Sequence, residues 1–278
     1  MLRKPRRRLL RRRERSFEDR SVVITGAAGG MGEAFARRFG KAGSRVTLLD
    51  VNEEKAGQLA EQLRQEGIAA ESHRCDVTDE SECNRVFEEV IAAQGGIDLL
   101  INNAGITHRS AFRDTQPEVV RRVVEVSLFG AVNCTGAALE SLVERRGMVA
   151  AVSSAAGFVP LLGRTGYCAA KHGMHGFFDT LRAELHGSGV DVLVFCPGFT
   201  RTPLTTSALD GDGSVTRHPK ATVGKIAEPE EVAEELFRAA CRRRRMVVLS
   251  VSGKLALLLS RISPRLYEAP MRRSLRKE

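Results

Sequence analysis

The sequence predicts an α/β fold, a doubly wound, seven-stranded parallel sheet with helices on both faces. Three observations carry this. Short apolar runs alternate with helical stretches between residues 21 and 251, and alternation at that spacing builds parallel βαβ units. A glycine cluster, residues 26–32 (GAAGGMG), falls at the first strand-to-helix turn. Successive strand ends then carry small or polar residues, at the edge where such sheets bind ligands.

Taken in order, residues 21–25 (SVVIT) read as a short buried strand and the stretch after Gly32 (EAFARRFGKAG) as a helix. Glycines at such a turn let the backbone approach a pyrophosphate, and the free N–H groups of the helix start face it. The spacing is T-G-x-x-x-G-x-G, which gives Gly26, Gly30, Met31 and Gly32 as candidate cofactor contacts. An ordinary tight turn has the same composition, so the next strand decides. Residues 45–49 (RVTLL) end in Asp50, placed to accept hydrogen bonds from an adenosine ribose. A carboxylate there repels a 2′-phosphate, and Val51 and Asn52 follow it rather than an arginine. This favours NAD over NADP. Asp50 can also serve as a helix N-cap, because Asn52-Glu53-Glu54 opens the next helix.

The alternation continues with a helix over 53–66, a strand over 69–74 ending in Cys75-Asp76-Val77, a helix over 79–94, and a strand over 97–101 followed by Asn102-Asn103-Ala104-Gly105. Asp76, Asn103 and Gly105 all fall at strand ends. Residues 117–143 read as one long helix, with Val120, Val123, Val124 and Leu128 at helical spacing. The fifth strand, 148–153, delivers Ser154. Residues 158–162 (FVPLL) form an apolar loop, suited equally to a pocket wall or to core packing. The sixth strand, 190–195, leads to Pro197-Gly198. Residues 203–228 are rich in Gly, Ser and Thr, and a loop of that length suits a lid. A helix over 229–240 and a strand over 246–251 complete the sheet.

The chemistry centres on residues 154–171. Tyr167 and Lys171 are four apart and share one helix face. A free tyrosine has a pKa near 10, and a close ammonium lowers it, making the pair a general acid/base. Ser154, brought beside them, hydrogen-bonds the reacting oxygen. His172 and His175 follow the lysine with no metal-ligand partner and read as structural.

Residues 25–32 (TGAAGGMG), Asp50, Asp76-Val77, residues 102–105 (NNAG), Ser154, Tyr167-x-x-x-Lys171 and residues 197–202 (PGFTRT) together resemble the short-chain dehydrogenases/reductases, in their compact single-domain form. The match spans residues 21–202 in order and spacing. Residues 154–185 and the C-terminal stretch look most like the branch containing 11-beta-hydroxysteroid dehydrogenase and the dehydrogenase/reductase member 7 proteins. The resemblance implies a Rossmann-like fold and hydride transfer between NAD and a secondary alcohol or ketone, on a lipophilic substrate such as a steroid, retinoid or long-chain alcohol. It adds Val77, Ala104, Pro197, Gly198, Thr200 and Thr202 to the cofactor contacts and gives Lys171 a bond to the nicotinamide ribose. It also implies a homodimer or homotetramer. One position departs: where the family has an asparagine that helps hold a water linked to the lysine, this chain has Ser127. A serine is shorter but can still hold a water. Asn133, six residues on, lies on another face.

The six cysteines show neither a C-x-x-C pair nor ligand spacing, as in a reduced, cytoplasmic protein. No apolar run approaches the roughly 18 residues of a membrane span, and the basic start lacks the apolar segment of a secretory signal. The net charge of +9 is unevenly spread. Residues 1–15 hold nine Lys/Arg against one Glu, residues 242–278 eleven against two, and the body between them is acidic at −8. The expected organisation is a disordered basic arm (1–15), one NAD-binding catalytic domain (16–252) and a basic amphipathic extension (253–278), in which Pro264 ends a short helix. Such ends attract anionic lipid or remain solvated; no aromatic residue interleaves the N-terminal arginines, so nucleic acid is not the expected partner. The extension suits a membrane interface or a cover over the subunit or its partner. A competing reading is an NAD-binding module of low activity, tethered by these ends.

Overall fold

The computed structural model describes residues 14–202, 204, 206–217, 226–263, 265, 267 and 268. Seven strands form one sheet: β1 (Ser21–Thr25), β2 (Arg45–Asp50), β3 (Ala70–Arg74), β4 (Leu99–Asn102), β5 (Met148–Val152), β6 (Asp191–Cys196) and β7 (Met246–Val248). Their order is β3-β2-β1-β4-β5-β6-β7, and every neighbouring pair is parallel. The chain builds outward from β1 in one direction, then returns to β4 and builds in the other. The strand ends part at that reversal and leave a crevice.

The helices are α1 (Met31–Gly40), α2 (Glu53–Gln65), α3 (Glu80–Gln94), α4 (Pro117–Val124), α5 (Gly130–Glu144), α6 (Thr165–Glu184), α7 (Pro229–Cys241) and α8 (Val251–Ile262). Side chains alternate along each strand, so every central strand supplies two cores. Val22, Ile24, Leu48 and Leu193 pack with Phe35, Phe39, Leu63 and Leu236 of α1, α2 and α7. Val23, Leu100, Val149 and Val194 pack with Phe87, Leu142 and Phe178 of α3, α5 and α6. Both faces are covered, which is why the strands read as continuous apolar runs.

Three expectations are corrected. The long helix predicted over 117–143 is interrupted by a π turn, Glu125–Phe129, which buries Ser127. Taken as one unit, Pro117–Glu144 is 28 residues long and holds an 18-residue window of mean hydropathy 1.4, enough by length and composition to cross a membrane, although no segment was expected to qualify. In this fold it lies on the sheet, with Ala131, Cys134, Ala138 and Leu142 in the core. Secondly, the boundary of the N-terminal arm moves. Arg15 belongs to the body: its N–H donates to the Cys241 carbonyl (2.8 Å) and its guanidinium to the carbonyls of Arg146 (2.7 Å) and Gly147 (3.0 Å). Phe17, two residues on, packs edge-on against Phe39. Thirdly, β7 stops at Val248, because the Ser250 hydroxyl accepts the Gly253 N–H (3.0 Å) and starts α8 there. Residues 1–13 of the arm, Pro264 and residues 269–278 of the extension, and positions 203, 205 and 218–225 of the expected lid lie outside the described residues.

Asp191, at the start of β6, collects Arg15 (3.0 Å) and Arg243 (2.6 Å), and its side chain is only 9% exposed. Removing one partner of a buried ion pair leaves the other charge uncompensated. Asp191→Ala is therefore expected to lower unfolding stability by about 3 kcal/mol in urea denaturation; a change within experimental error would show that these ion pairs do not hold the N-terminal segment.

Candidate active site

The crevice is closed at its base by backbone contact. Gly26 has a φ of +61°, and a Cβ there would lie 2.7 Å from the Ala104 Cα. A Cβ on Gly32 would overlap the Gly26 carbonyl oxygen and lie 2.7 Å from the Ala27 Cα. The Thr25 hydroxyl accepts the N–H groups of Asn103 and Ala104, both at 3.0 Å. The Asn103 amide returns two bonds, to the carbonyls of Thr25 (3.1 Å) and Gly26 (2.9 Å). These contacts fix the β1–α1 turn to the loop after β4.

Asp50 turns toward this loop rather than capping α2. One carboxylate oxygen accepts the Ala28 N–H (2.9 Å) and the other the Asn52 N–H (2.9 Å). The cap is Asn52, whose side chain accepts the Lys55 N–H (3.0 Å). The Thr78 hydroxyl (2.7 Å) and N–H (3.0 Å) hold the Asp76 carboxyl below its ordinary pKa. Between these carboxylates lies a cavity of ≈ 840 Å³. Gly26, Gly30 and Met31 line one side of it, and Asp76, Val77 and Asn103 to Gly105 another. Asp50 and Thr202 border it. So do Lys55, Arg122 and Glu125, which the sequence did not single out. Gly32 stands behind the loop, and Thr200 is buried with its hydroxyl donated to the Gly198 carbonyl (3.3 Å). No side chain caps α1, so the N–H groups of its first turn are open to a ligand. Helix N–H donors beside glycines, with carboxylates across the gap, fit a dinucleotide's pyrophosphate and ribose.

The reacting groups stand beyond β5. Ser154 is extended, and its hydroxyl accepts the Ala156 N–H (3.2 Å). Tyr167 and Lys171 lie one turn apart on α6, 8% and 4% exposed. The Lys171 Nζ donates to the Val152 carbonyl (2.9 Å), touches the Met174 Sδ (3.3 Å) and lies 5.7 Å from the Tyr167 ring centre. Burial holds Lys171 down to about 8. Burial likewise pushes the Tyr167 phenol above its ordinary value, against the pull of the Ser154 hydroxyl and the Arg164 guanidinium. Arg164 is a second cation that favours the phenolate, while the lysine's Nζ bonds Val152 and stays 5.7 Å from the tyrosine ring centre.

Ser127 bonds the loop after β4. Its hydroxyl donates to the Ile106 carbonyl and accepts the Ile106 N–H, both at 3.1 Å. Its proton therefore fastens the loop after β4. The residues of the FVPLL loop separate: Phe158 meets His175 edge-on at 5.9 Å, Val159 is buried, Leu161 packs by Tyr167, and Leu162 is exposed. His172 bonds the Cys168 carbonyl and His175 the Ser153 hydroxyl (3.0 Å). Two positions were missed. Asn133, set aside as facing elsewhere, donates to the Val77 carbonyl (3.0 Å) and steadies the cavity wall. His108, wholly buried, accepts the Gly166 N–H (3.0 Å). A polar residue in an apolar helix was the available signal for Asn133; nothing near His108 in sequence marked it.

Residues 20–212 match the sequence profile of the short chain dehydrogenase family. Dehydrogenase/reductase SDR family member 7B of Bos taurus is 37% identical over 267 residues, covering 92% of this chain and 82% of that one. The Danio rerio protein of the same name is 35% identical over 275 residues, covering 96% and 89%. The Drosophila melanogaster dehydrogenase/reductase SDR family protein 7-like is 34% identical over 256 residues, covering 88% and 77%. The crystal structure of gox2181 has the same fold, with a TM-score of 0.74 and 24% identity over 83% of this chain and 93% of that one.

The buried lysine has a measurable signature. It releases its proton at about 8 in the folded chain, against an ordinary 10.5. Between those values the unfolded state binds more protons, so stability rises with pH. Tyr167 acts in the opposite sense, but only above its ordinary value of 10.0. Wild-type protein is expected to gain stability on going from pH 8 to pH 10 and Lys171→Met to lack that gain; parallel urea titrations in the two proteins would contradict a buried ammonium.

Proposed function

This chain belongs to the short-chain dehydrogenase/reductase family, in the branch of the dehydrogenase/reductase member 7 proteins, and on that premise we propose that it interconverts a secondary alcohol and a ketone on a lipophilic substrate, with NAD. Membership alone makes it an oxidoreductase that uses a nicotinamide cofactor. The observation that carries the finer reading is the clustering of Ser154, Tyr167 and Lys171 beside the crevice, with the tyrosine and lysine shielded from water. Tyr167 gives the substrate oxygen a proton in reduction and takes it in oxidation. With its phenol held neutral by burial, it is poised as an acid. The Ser154 hydroxyl accepts the Ala156 N–H (3.2 Å) and acts on the Tyr167 phenol, so it stands where it can orient the substrate oxygen. Lys171, held down to about 8 by burial, is cationic at neutral pH and would bond the nicotinamide ribose. The glycine loop and Asp50 would hold the nicotinamide nucleotide, which when bound would supply the hydride acceptor or donor. The Asp50 carboxylate supports NAD over NADP, because it faces the loop where a 2′-phosphate would lie.

The setting we propose is cytoplasmic, at an anionic lipid surface, with the protein a homodimer or homotetramer. On α8, Val251, Leu255, Leu258 and Ile262 are 80%, 54%, 55% and 69% exposed, and their spacing puts them on one stripe. Lys254 and Arg261 of the same helix are exposed beside it. An apolar stripe flanked by cations suits the headgroup boundary of an anionic bilayer. The helix packs on the turn after Ser154, Ala155–Gly157, which puts that surface next to the reacting groups and supports a lipophilic substrate.

Tyr167→Phe is expected to lower kcat by about 10²–10⁴ on a panel of hydrophobic secondary alcohols while leaving NAD affinity within about twofold; retained activity would refute the mechanism. Replacing Leu255 and Leu258 with Glu is expected to abolish cosedimentation with phosphatidylserine vesicles, which in the wild type should weaken with salt; unchanged binding would refute the α8 surface.

A further inference from the structure

His108 sits at the meeting of three loops. Its neighbour Arg109 donates its N–H to the Leu209 carbonyl (2.8 Å), and Leu209 returns its own N–H to the Thr107 carbonyl (2.8 Å). Ser110 donates its N–H to the Gly163 carbonyl (3.1 Å), in the loop that leads into α6. The Gly166 N–H, in the first turn of α6, donates to the His108 Nε2 at 3.0 Å. The residue before the helix, Arg164, contributes no side-chain cap. The imidazole therefore satisfies a backbone donor that helix geometry leaves orphaned, from 58 residues away in the chain. Gly166 permits the approach: a Cβ there would stand 3.2 Å from the Val120 Cα and 3.3 Å from the Nε2.

The contacts determine the protonation state. An Nε2 that accepts an N–H carries no proton, so in the neutral ring Nδ1 carries it. Nδ1 then donates to the Ser110 hydroxyl (3.2 Å), which donates to the Thr115 hydroxyl (2.7 Å), which donates to the Ala111 carbonyl (2.7 Å). Every donor in this chain has an acceptor. An imidazolium would break it, since Nε2–H would face the Gly166 N–H.

The charges around the ring also oppose a second proton. Arg164 acts on it directly and Arg109 is adjacent in sequence. The Asp210 carboxylate, beyond Leu209, bonds the Gly211 N–H (2.7 Å) and the Thr216 hydroxyl (3.2 Å). The charged residues of α4, Glu118, Arg121 and Arg122, and Asp114 before it are exposed. Burial and Arg164 hold His108 below its ordinary pKa.

We propose that neutral His108 is a positioning residue: by accepting the Gly166 N–H it sets the first turn of α6 and so places the Tyr167 hydroxyl against Ser154. The proposal rests on the reading of Tyr167 as the acid/base, and it predicts two things. Without the acceptor, turnover falls while cofactor affinity does not. On acidification, turnover is lost as the ring takes up a proton.

The test compares His108→Leu, which removes the acceptor, with His108→Gln, whose Oε1 can accept the Gly166 N–H but does not titrate. His108→Leu is expected to lose about tenfold or more in kcat, the scale of one buried unsatisfied donor, with the Kd for NAD within about twofold. His108→Gln is expected to keep kcat within about threefold at neutral pH and to lose the acid limb of the wild-type profile. Amide exchange at Gly166, corrected for the intrinsic rate, supplies a readout free of turnover: protected in the wild type and His108→Gln, unprotected in His108→Leu. If no alcohol or ketone is turned over, the functional reading fails while Gly166 protection still decides the clamp. Equal protection in all three proteins, or an acid limb unchanged in His108→Gln, overturns the proposal. If His108→Leu does not fold, the pH profile and Gly166 protection of His108→Gln decide it.

Discussion

The structure depends on how two strand ends meet where the sheet reverses its order. β1 and β4 lie side by side but lead into helices on opposite faces, and the backbone at both ends needs hydrogen-bond partners. The Thr25 hydroxyl and the Asn103 amide provide four of them, all within 3.1 Å. Ser127 adds two more, one step further along the same loop. The crevice is thus rigid at its base and open at its rim, the condition for a helix N-terminus to meet a phosphate without rearrangement.

The reacting groups obey a different logic. A buried ammonium is costly unless paired, and among the described residues Lys171 bonds a carbonyl oxygen and a thioether. Tyr167, one turn away, is buried and neutral. Such a pair is not at rest in the sense of a satisfied core. Its strain follows from placing ionisable groups in a dry pocket, and perturbed groups of this kind beside a cleft mark sites of chemistry. The surrounding scaffold, two apolar layers on a seven-stranded sheet, is large enough to hold them there.

Much of this was legible in the sequence. The strands and helices of a parallel sheet, the glycine turn and the Ser154, Tyr167 and Lys171 set follow from local pattern and fixed spacing, because each rests on residues close in the chain. What was not legible depends on partners far apart. The direction of the Lys171 ammonium is set by the Val152 carbonyl, 19 residues away. That Arg164 also acts on the tyrosine is likewise decided by packing, not by spacing. Ser127 reads as a substitution for asparagine, but only the π turn shows what its hydroxyl bonds. His108 stands among polar loop residues with no local period. The N-terminal boundary failed for a similar reason: Arg15 looks like the last residue of a basic run, and its acceptors come from the turn before β5, the start of β6 and the end of α7.

That last contact redistributes the molecule's charge. Arg15 and Arg243 share Asp191 at the start of β6, and Arg242 lies 3.9 Å from Glu14. The four arginines 242–245 precede β7, so they gather at the strands' amino edge, where the chain's first described residues also lie. Lys254 and Arg261 on α8 are beyond the carboxyl edge, on the side of the crevice. Counted by terminus, the chain has a basic beginning and a basic end. Counted by position among the described residues, its terminal cations fall at both ends of the strands, and those at the amino edge are partly paired with Asp191 and Glu14. One flat surface cannot engage both ends at once, so a body that rested on α8 would turn arginines 242–245 away from that surface.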